Sequence, residues 1–194
     1  MAIKTDIRNI TVSGRIGAGA TTLAHELSRV LGWQHLEGGE VFWEAVRGKL
    51  GLSPKDTDLR PDKEDQNFDA MLKKLLEEKQ HYIVETKLAG FNAQGISGVF
   101  KILVLCEDEQ GIDQTAIRID RLVNREKISI DDAKLEVVER EENDIGKWRH
   151  LYSGDDKNWV YWDRKYYDLV INTYSHNQEE TLKLALEGMG VSGQ

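Results

Sequence analysis

Cysteine is nearly missing from this sequence: Cys106 is the single one among 194 residues. An intrachain disulfide is therefore impossible, and a cysteine-built zinc site is excluded. The expected setting is a reducing, cytoplasmic one. Proline is almost as scarce. Pro54 and Pro61 are the only two, and both fall in the polar stretch 53–66, which marks that stretch as a loop between lobes. No window approaches the ~18 consecutive apolar residues that a membrane span requires, and residues 1–9 lack the apolar segment of a secretory leader. An excess of positive charge is also lacking: 26 Lys and Arg stand against 34 Asp and Glu, a net charge of -8. Non-specific nucleic-acid binding rests on neutralising many phosphates with Lys and Arg, which an acidic chain does poorly. Neither a nucleic acid nor a membrane is an expected partner.

Hydrophobic residues make up 40% and charged residues 31%, a balance suited to one globular domain with a sizeable core. Short apolar segments at Ile7–Ser13, Gln34–Leu36, His81–Thr86, Lys101–Cys106 and Asp168–Thr173 read as strands. Between them, helical spacing appears at Thr21–Leu31, Gly39–Leu50, Phe68–Lys79, Gln114–Arg125 and Gln178–Leu186. Strands alternating with helices indicate an α/β fold with a parallel sheet. The strongly charged segment Asp131–Asp156 looks like helices inserted over the sheet.

The first strand runs into Gly14-Arg15-Ile16-Gly17-Ala18-Gly19-Ala20-Thr21-Thr22. In a phosphate-binding P-loop, G-x-x-x-x-G-K-[ST], glycines let successive N–H groups curl around one phosphate, and the following helix adds its dipole. Gly14 and Gly19 hold the glycine positions and Thr21 the hydroxyl that reaches Mg²⁺, while Ala20 stands where the motif has lysine. Arg15 is a candidate to supply the missing charge. Glu85 ends the third strand, and ligands of open α/β sheets bind beyond the carboxyl ends of strands. A metal-holding role beside Thr21 follows for Glu85; the plainer reading is a carboxylate bonded to neighbouring backbone. Arg118, Arg121 and Arg125 share one helix face by spacing, either toward a nucleotide or as a solvated basic face.

Beyond the loop, the chain carries Gly39-Glu40-Val41-Phe42, Ile83-Val84-Glu85-Thr86-Lys87-Leu88-Ala89-Gly90-Phe91, Arg118-Ile119-Asp120-Arg121, Arg140-Glu141-Glu142 and Tyr167-Asp168-Leu169-Val170-Ile171-Asn172-Thr173. In these blocks and their order it resembles the nucleoside monophosphate kinases, most closely those of the archaeal cytidylate kinase type. The resemblance implies a three-layer P-loop kinase fold with a five-stranded parallel sheet. It implies a single kinase domain with core 1–37, 80–127 and 160–194, an acceptor-binding region at about 38–79 and a lid at about 128–159. It also implies transfer of the ATP γ-phosphoryl to CMP or dCMP with Mg²⁺. Glu85, Lys87, Arg121 and Lys147 are then the candidate catalytic residues. Loop residues 14–22 with Arg118 and Arg125 bind the donor, and Gly39, Trp43, Arg47, Asp69 and Lys87 the acceptor.

Departures from the family pattern accompany Ala20. Trp43 stands where a phosphate-binding arginine is expected, with Arg47 one turn further on as a partial substitute. Lys87 and Lys147 replace arginines, which keeps the charge but loses the two-pronged donor. Two other readings therefore compete with a kinase: a nucleotide-binding protein without turnover, and a small-molecule kinase whose acceptor is not a nucleotide. Loss of one preorganised cation costs about 10²–10³ in rate by analogy with an oxyanion donor. The five histidines show no helical metal-ligand spacing and receive no catalytic role.

Overall fold

β-branched segments interrupted by helices build a single sheet from β1 (Asn9–Gly14), β2 (Gln34–Glu37), β3 (Tyr82–Glu85), β4 (Val99–Leu105) and β5 (Leu169–Asn172). All pairs are parallel, in the order β2-β3-β1-β4-β5. The computed structural model describes residues 6–52 and 59–191, so Pro54 lies outside the described residues. The helices are α1 (Ala20–Leu31), α2 (Gly38–Leu50), α3 (Asp62–Glu78), α4 (Ala89–Asn92), α5 (Thr115–Glu126), α6 (Ile130–Lys134), α7 (Glu141–Tyr152) and α8 (Gln178–Gly188). A π-helical turn, Leu135–Arg140, joins α6 to α7.

Every residue of the central strand β1 is buried. On one face Ile10 and Val12 join Leu23, Ala24 and Leu27 of α1 and Ala185 of α8. The other face of β1 is polar, and its partners come from backbone: Asn9 Nδ2 donates to the carbonyls of Leu76 and Lys79, and Ser13 Oγ accepts from Gly90 N–H. Leu72 and Leu76 of α3 pack on that face with Val84 and Ala89. Three layers result, with each buried Leu contributing roughly 1.5–3 kcal/mol.

The proline-bearing stretch does not stay a loop up to Gln66. Helix α3 starts at Asp62, with Pro61 at its cap and Asp62, Glu64 and Asp65 in its first turn. Acidic side chains there complement the helix dipole, and a proline preceding the first turn has no N–H to lose. The charged segment Asp131–Asp156 lies outside the sheet, as expected, and is anchored by apolar contacts of its own. Ile145, Trp148, Trp159 and Tyr161 cluster with Leu88 just beyond β3. Among the described residues no helix is long and apolar enough to cross a membrane.

Candidate functional site

The loop between β1 and α1 turns on glycine. Gly17 and Gly19 have φ of 79° and 108°, a region that side chains disfavour. A Cβ on Gly17 would also sit 2.4 Å from the Arg118 carbonyl oxygen. The loop's carbonyls are tied down from outside: Ile16 O accepts from Arg118 Nη1 at 2.8 Å and Ala18 O from Thr173 Oγ1 at 2.7 Å. Helix α1 then begins with no side-chain cap and no acid in its first turn. Its positive end is left to an anion.

Two cavities meet at this loop. The first, about 450 Å³, runs from Gly14, Gly19 and Thr21 across Glu85 and Lys87 to Trp43, Asp69 and Trp148. The second, about 550 Å³, lies behind the loop between α5 and the end of β5, against Thr22, Arg121, Thr173 and Asn177. Gly17, Gly19, Leu122 and Arg125 line both.

At the loop wall of the first cavity, Thr21 Oγ1 donates to Glu85 Oε1 at 3.1 Å. Parallel register sets Glu37 of β2 beside Glu85 of β3. Burial, then the neighbouring charges of Glu85 and Glu40, push the Glu37 carboxyl above the ordinary range. His35 Nε2 lies 3.6 Å from Glu85 Oε2, and neither atom has a hydrogen-bond partner.

Charge pairs close the opposite wall. Lys87 Nζ donates to Asp144 Oδ2 at 2.7 Å, with Arg60 Nη2 3.5 Å from Oδ1 and Arg140 Nε 3.9 Å from Oδ2. Arg60 also grips Asp65 with Nε and Nη2 at 2.9 and 2.8 Å, its guanidinium stacked over the rings of Phe42 and Trp43. Burial works to raise the Asp144 pKa, but Lys87 and then Arg140 outweigh it and hold the carboxyl below its ordinary range. Burial pulls Lys87 below the usual lysine range. Asp69 accepts from Tyr152 Oη, a link from α3 to α7, and burial raises its carboxyl to about 6.

A family model described as an AAA domain matches residues 13–142. A cytidylate kinase from Thermoplasma volcanium is 32% identical over 91% of this chain and 88% of its own. Another from Natronomonas pharaonis is 30% identical over 84% of this chain and 80% of its own. The chain belongs to the archaeal-type cytidylate kinase family of P-loop kinases. Solved structures share the fold at low identity. An uncharacterized protein from Eubacterium ventriosum superposes with TM-score 0.65 at 11% identity, covering 95% of this chain and 99% of that one. A shikimate kinase from Acinetobacter baumannii gives 0.53 at 16% identity, covering 93% and 90%.

P-loop kinases are phosphotransferases that use ATP with a divalent metal. In this member of the family, Thr21 and Glu85 fit such an ion, since both offer oxygen and Glu85 Oε2 has no hydrogen-bond partner. Among the described residues no three His, Cys, Asp or Glu side chains gather to hold a metal.

Of the residues singled out from the sequence, Gly14, Arg15, Ile16, Gly17, Gly19, Ala20, Thr21, Gly39, Trp43, Asp69, Glu85, Lys87 and Arg125 line the first cavity. Ala18, Thr22 and Arg121 line the second. Arg47, Arg118 and Lys147 line neither. Arg47 is exposed because α2 turns Trp43 and Val46 inward and Arg47 falls beside that face. Arg118 is sealed, with donors committed to Ile16 O and Asp113 and with Glu141 3.4 Å away, so it braces the loop. Lys147 reaches the Arg60 carbonyl, with Asp65 at 3.2 Å and Asp62 at 3.4 Å. Arg15 faces the start of α7: it donates to Glu141 Oε1 at 2.9 and 2.5 Å, pairs with Asp113 at 3.0 Å and lies 4.4 Å over Trp162. Glu37, Arg60, Asp65 and Asp144 escaped the sequence reading. For Asp144 a signal existed, since it stands four residues after Arg140 and three before Lys147 on one helical stretch.

Proposed function

We propose that this chain is a nucleoside monophosphate kinase that transfers the γ-phosphoryl of ATP to CMP or dCMP with Mg²⁺. One observation carries the reading: a phosphate loop forms the shared wall of two cavities. A donor whose base lies behind the loop, by Arg121 and Asn177, brings its phosphates over residues 14–21. An acceptor in the first cavity then approaches from the side of Lys87 and Asp69. Thr21 and Glu85 would hold the metal, which supplies neutralisation of the β- and γ-phosphate charge. The protein's own work is positioning and electrostatics, with no protein nucleophile. Loop N–H groups fix the donor, Lys87 faces the acceptor, and α6 to α7 exclude water. This assigns residues 38–79 to acceptor binding, 128–159 to the lid and the remainder to the core, in a cytoplasmic protein.

A second reading, nucleotide binding without turnover, is favoured by Ala20 and by Arg15, whose charge is already met by Glu141 and Asp113. ADP formation from ATP and Mg²⁺, measured with CMP, dCMP, UMP and AMP for the chain and for Ala20→Lys, separates the two. Turnover with CMP or dCMP by the unaltered chain is the expected result. Turnover appearing only in the variant would favour the second reading. A metabolite phosphorylated with no response to any monophosphate would move the acceptor outside the nucleotides. Nucleotide binding absent in calorimetry would sink both nucleotide readings.

A further inference from the structure

We infer that Arg60 is the residue that binds the acceptor's phosphate, a role that rests on the acceptor reading above. Its side chain is only 2% exposed, yet the residue lines the first cavity. Bidentate bonding to Asp65 and stacking over Phe42 and Trp43 hold the guanidinium in one place. That arrangement is pre-organised, so little order remains to be created on binding. Asp65 takes the Nε and Nη2 edge of a group that carries five donors.

What lies in front of Arg60 is an unfinished hydrogen-bond network. Asp144 Oδ1, 3.5 Å from Arg60 Nη2, is buried without a hydrogen-bond partner, and so is Arg140 Nε. Three cations, from Arg60, Lys87 and Arg140, thus converge on a carboxylate with only two oxygens. The unpartnered Arg140 Nε costs free energy that an anionic ligand can return by accepting from it, while Asp144 Oδ1 is a competitor that such a ligand displaces. A phosphate monoester, with three terminal oxygens and a second charge, matches the donors better than Asp144 does. The stacking also explains Trp43. An aromatic ring at that position carries no charge itself, but it seats the guanidinium of Arg60 beside it, 5.0 Å from the ring centre. Arg47, the candidate by sequence spacing, points to solvent instead.

Calorimetric affinities for CMP and for cytidine, which differ only by the phosphate, test this. In Arg60→Met, CMP affinity should fall about tenfold to a hundredfold, the range for a charged hydrogen bond, while cytidine affinity changes by less than about threefold. Arg60→Lys should lie between, since it keeps the charge and loses the fork. Trp43→Arg placed in the Arg60→Met background should recover the preference for CMP over cytidine. Equal losses for CMP and cytidine, or no loss for CMP, would overturn the role and leave Arg60 as a tether for the segment before α3. Should Arg60→Met not fold, the CMP-to-cytidine ratio in Arg60→Lys decides, an unchanged ratio counting against the role. Failure of the unaltered chain to bind either ligand would instead overturn the acceptor reading beneath it.

Discussion

The loop wall of the first cavity and the wall facing it, where residues flanking α3, β3 and α7 meet, present two different kinds of positive charge. The loop wall works with backbone: glycine conformations, a helix start without a side-chain cap, and carbonyls pulled outward by Arg118 and Thr173. Its motif lysine position is Ala20, and Arg15 is spent on Glu141 and Asp113. The facing wall works with side chains: Arg60, Lys87 and Arg140 gather around Asp144. Backbone dipoles cannot be neutralised by a neighbour and stay ready. Side-chain cations can be, and here carboxylates of the protein occupy them. A ligand on that wall must therefore compete with Asp144, whereas one on the loop wall competes only with water.

Removing Asp144 should break this contrast most severely. In Asp144→Ala, Lys87 stays buried with its direct carboxylate partner gone, and orphaning one member of a buried pair costs about 3–5 kcal/mol. Urea unfolding at neutral pH should show that loss as a lower midpoint with an unchanged slope. Saturating CMP should return part of it, because an added anion takes the empty place. An unshifted midpoint would mean that α7 does not stay docked on Lys87 in solution.

How much of this was legible in the sequence depends on how local each feature is. The loop was, because a P-loop compresses its geometry into eight consecutive residues, and Gly14, Gly19 and Thr21 stand at their spacings. Glu85 was, because strand order sets β3 beside β1 and its last residue at the ligand-binding edge. Side-chain direction was not. Arg118, Arg121 and Arg125 share a face by periodicity, yet that face passes from the sealed back of the loop to open solvent within two turns. Arg60 was hidden for another reason. It lies in a stretch read as a loop from its prolines, and its partners Phe42, Trp43 and Asp144 come from two separate helices. No spacing rule joins them. Helix α3 starts inside the stretch 53–66 because Pro61, which by type marks a loop, stands here at the helix cap.

A second test sharpens the contrast through pH. Asp69 is 8% exposed, bonded to Tyr152, and burial raises its carboxyl from the ordinary aspartate range to about 6. Between about pH 4 and pH 6 the folded chain therefore holds a proton that the unfolded chain has released. This group's contribution makes stability fall as pH rises through that window, by about 2–3 kcal/mol in all. Asp69→Asn should remove that part of the slope and gain relative stability above pH 6. Glu37 on the loop wall shifts in the same direction, so some slope should survive in the variant. Unfolding midpoints of both chains from pH 4 to pH 7 measure the difference, and parallel curves would refute the assignment.

The smallest expected effect is also the one that decides what the loop wall contains. If Arg15 stood in for the motif's lysine, Arg15→Ala would weaken ATP binding and cut any turnover by about 10²–10³, the cost of one preorganised donor. The geometry points elsewhere. Glu141 accepts both of its donated bonds, Asp113 pairs with the third nitrogen, and Trp162 covers its face. Those partners tie the loop to α7 and to the aromatic cluster beside it, so the residue serves to hold α7 against the loop. The side chain is 19% exposed, and Glu141 keeps Arg118 beside it when Arg15 is gone. Loss of Arg15 should then cost about 1 kcal/mol, the scale of a partly exposed ion pair with a cation–π contact. ATP affinity should change less than about threefold. Raising the salt concentration should shrink the stability difference between the two chains, because the ion pairs are partly open to screening. A large fall in ATP affinity at unchanged stability would place Arg15 on the phosphates. The loop wall would then match the facing wall in kind, with a side-chain cation held by carboxylates until a nucleotide displaces them.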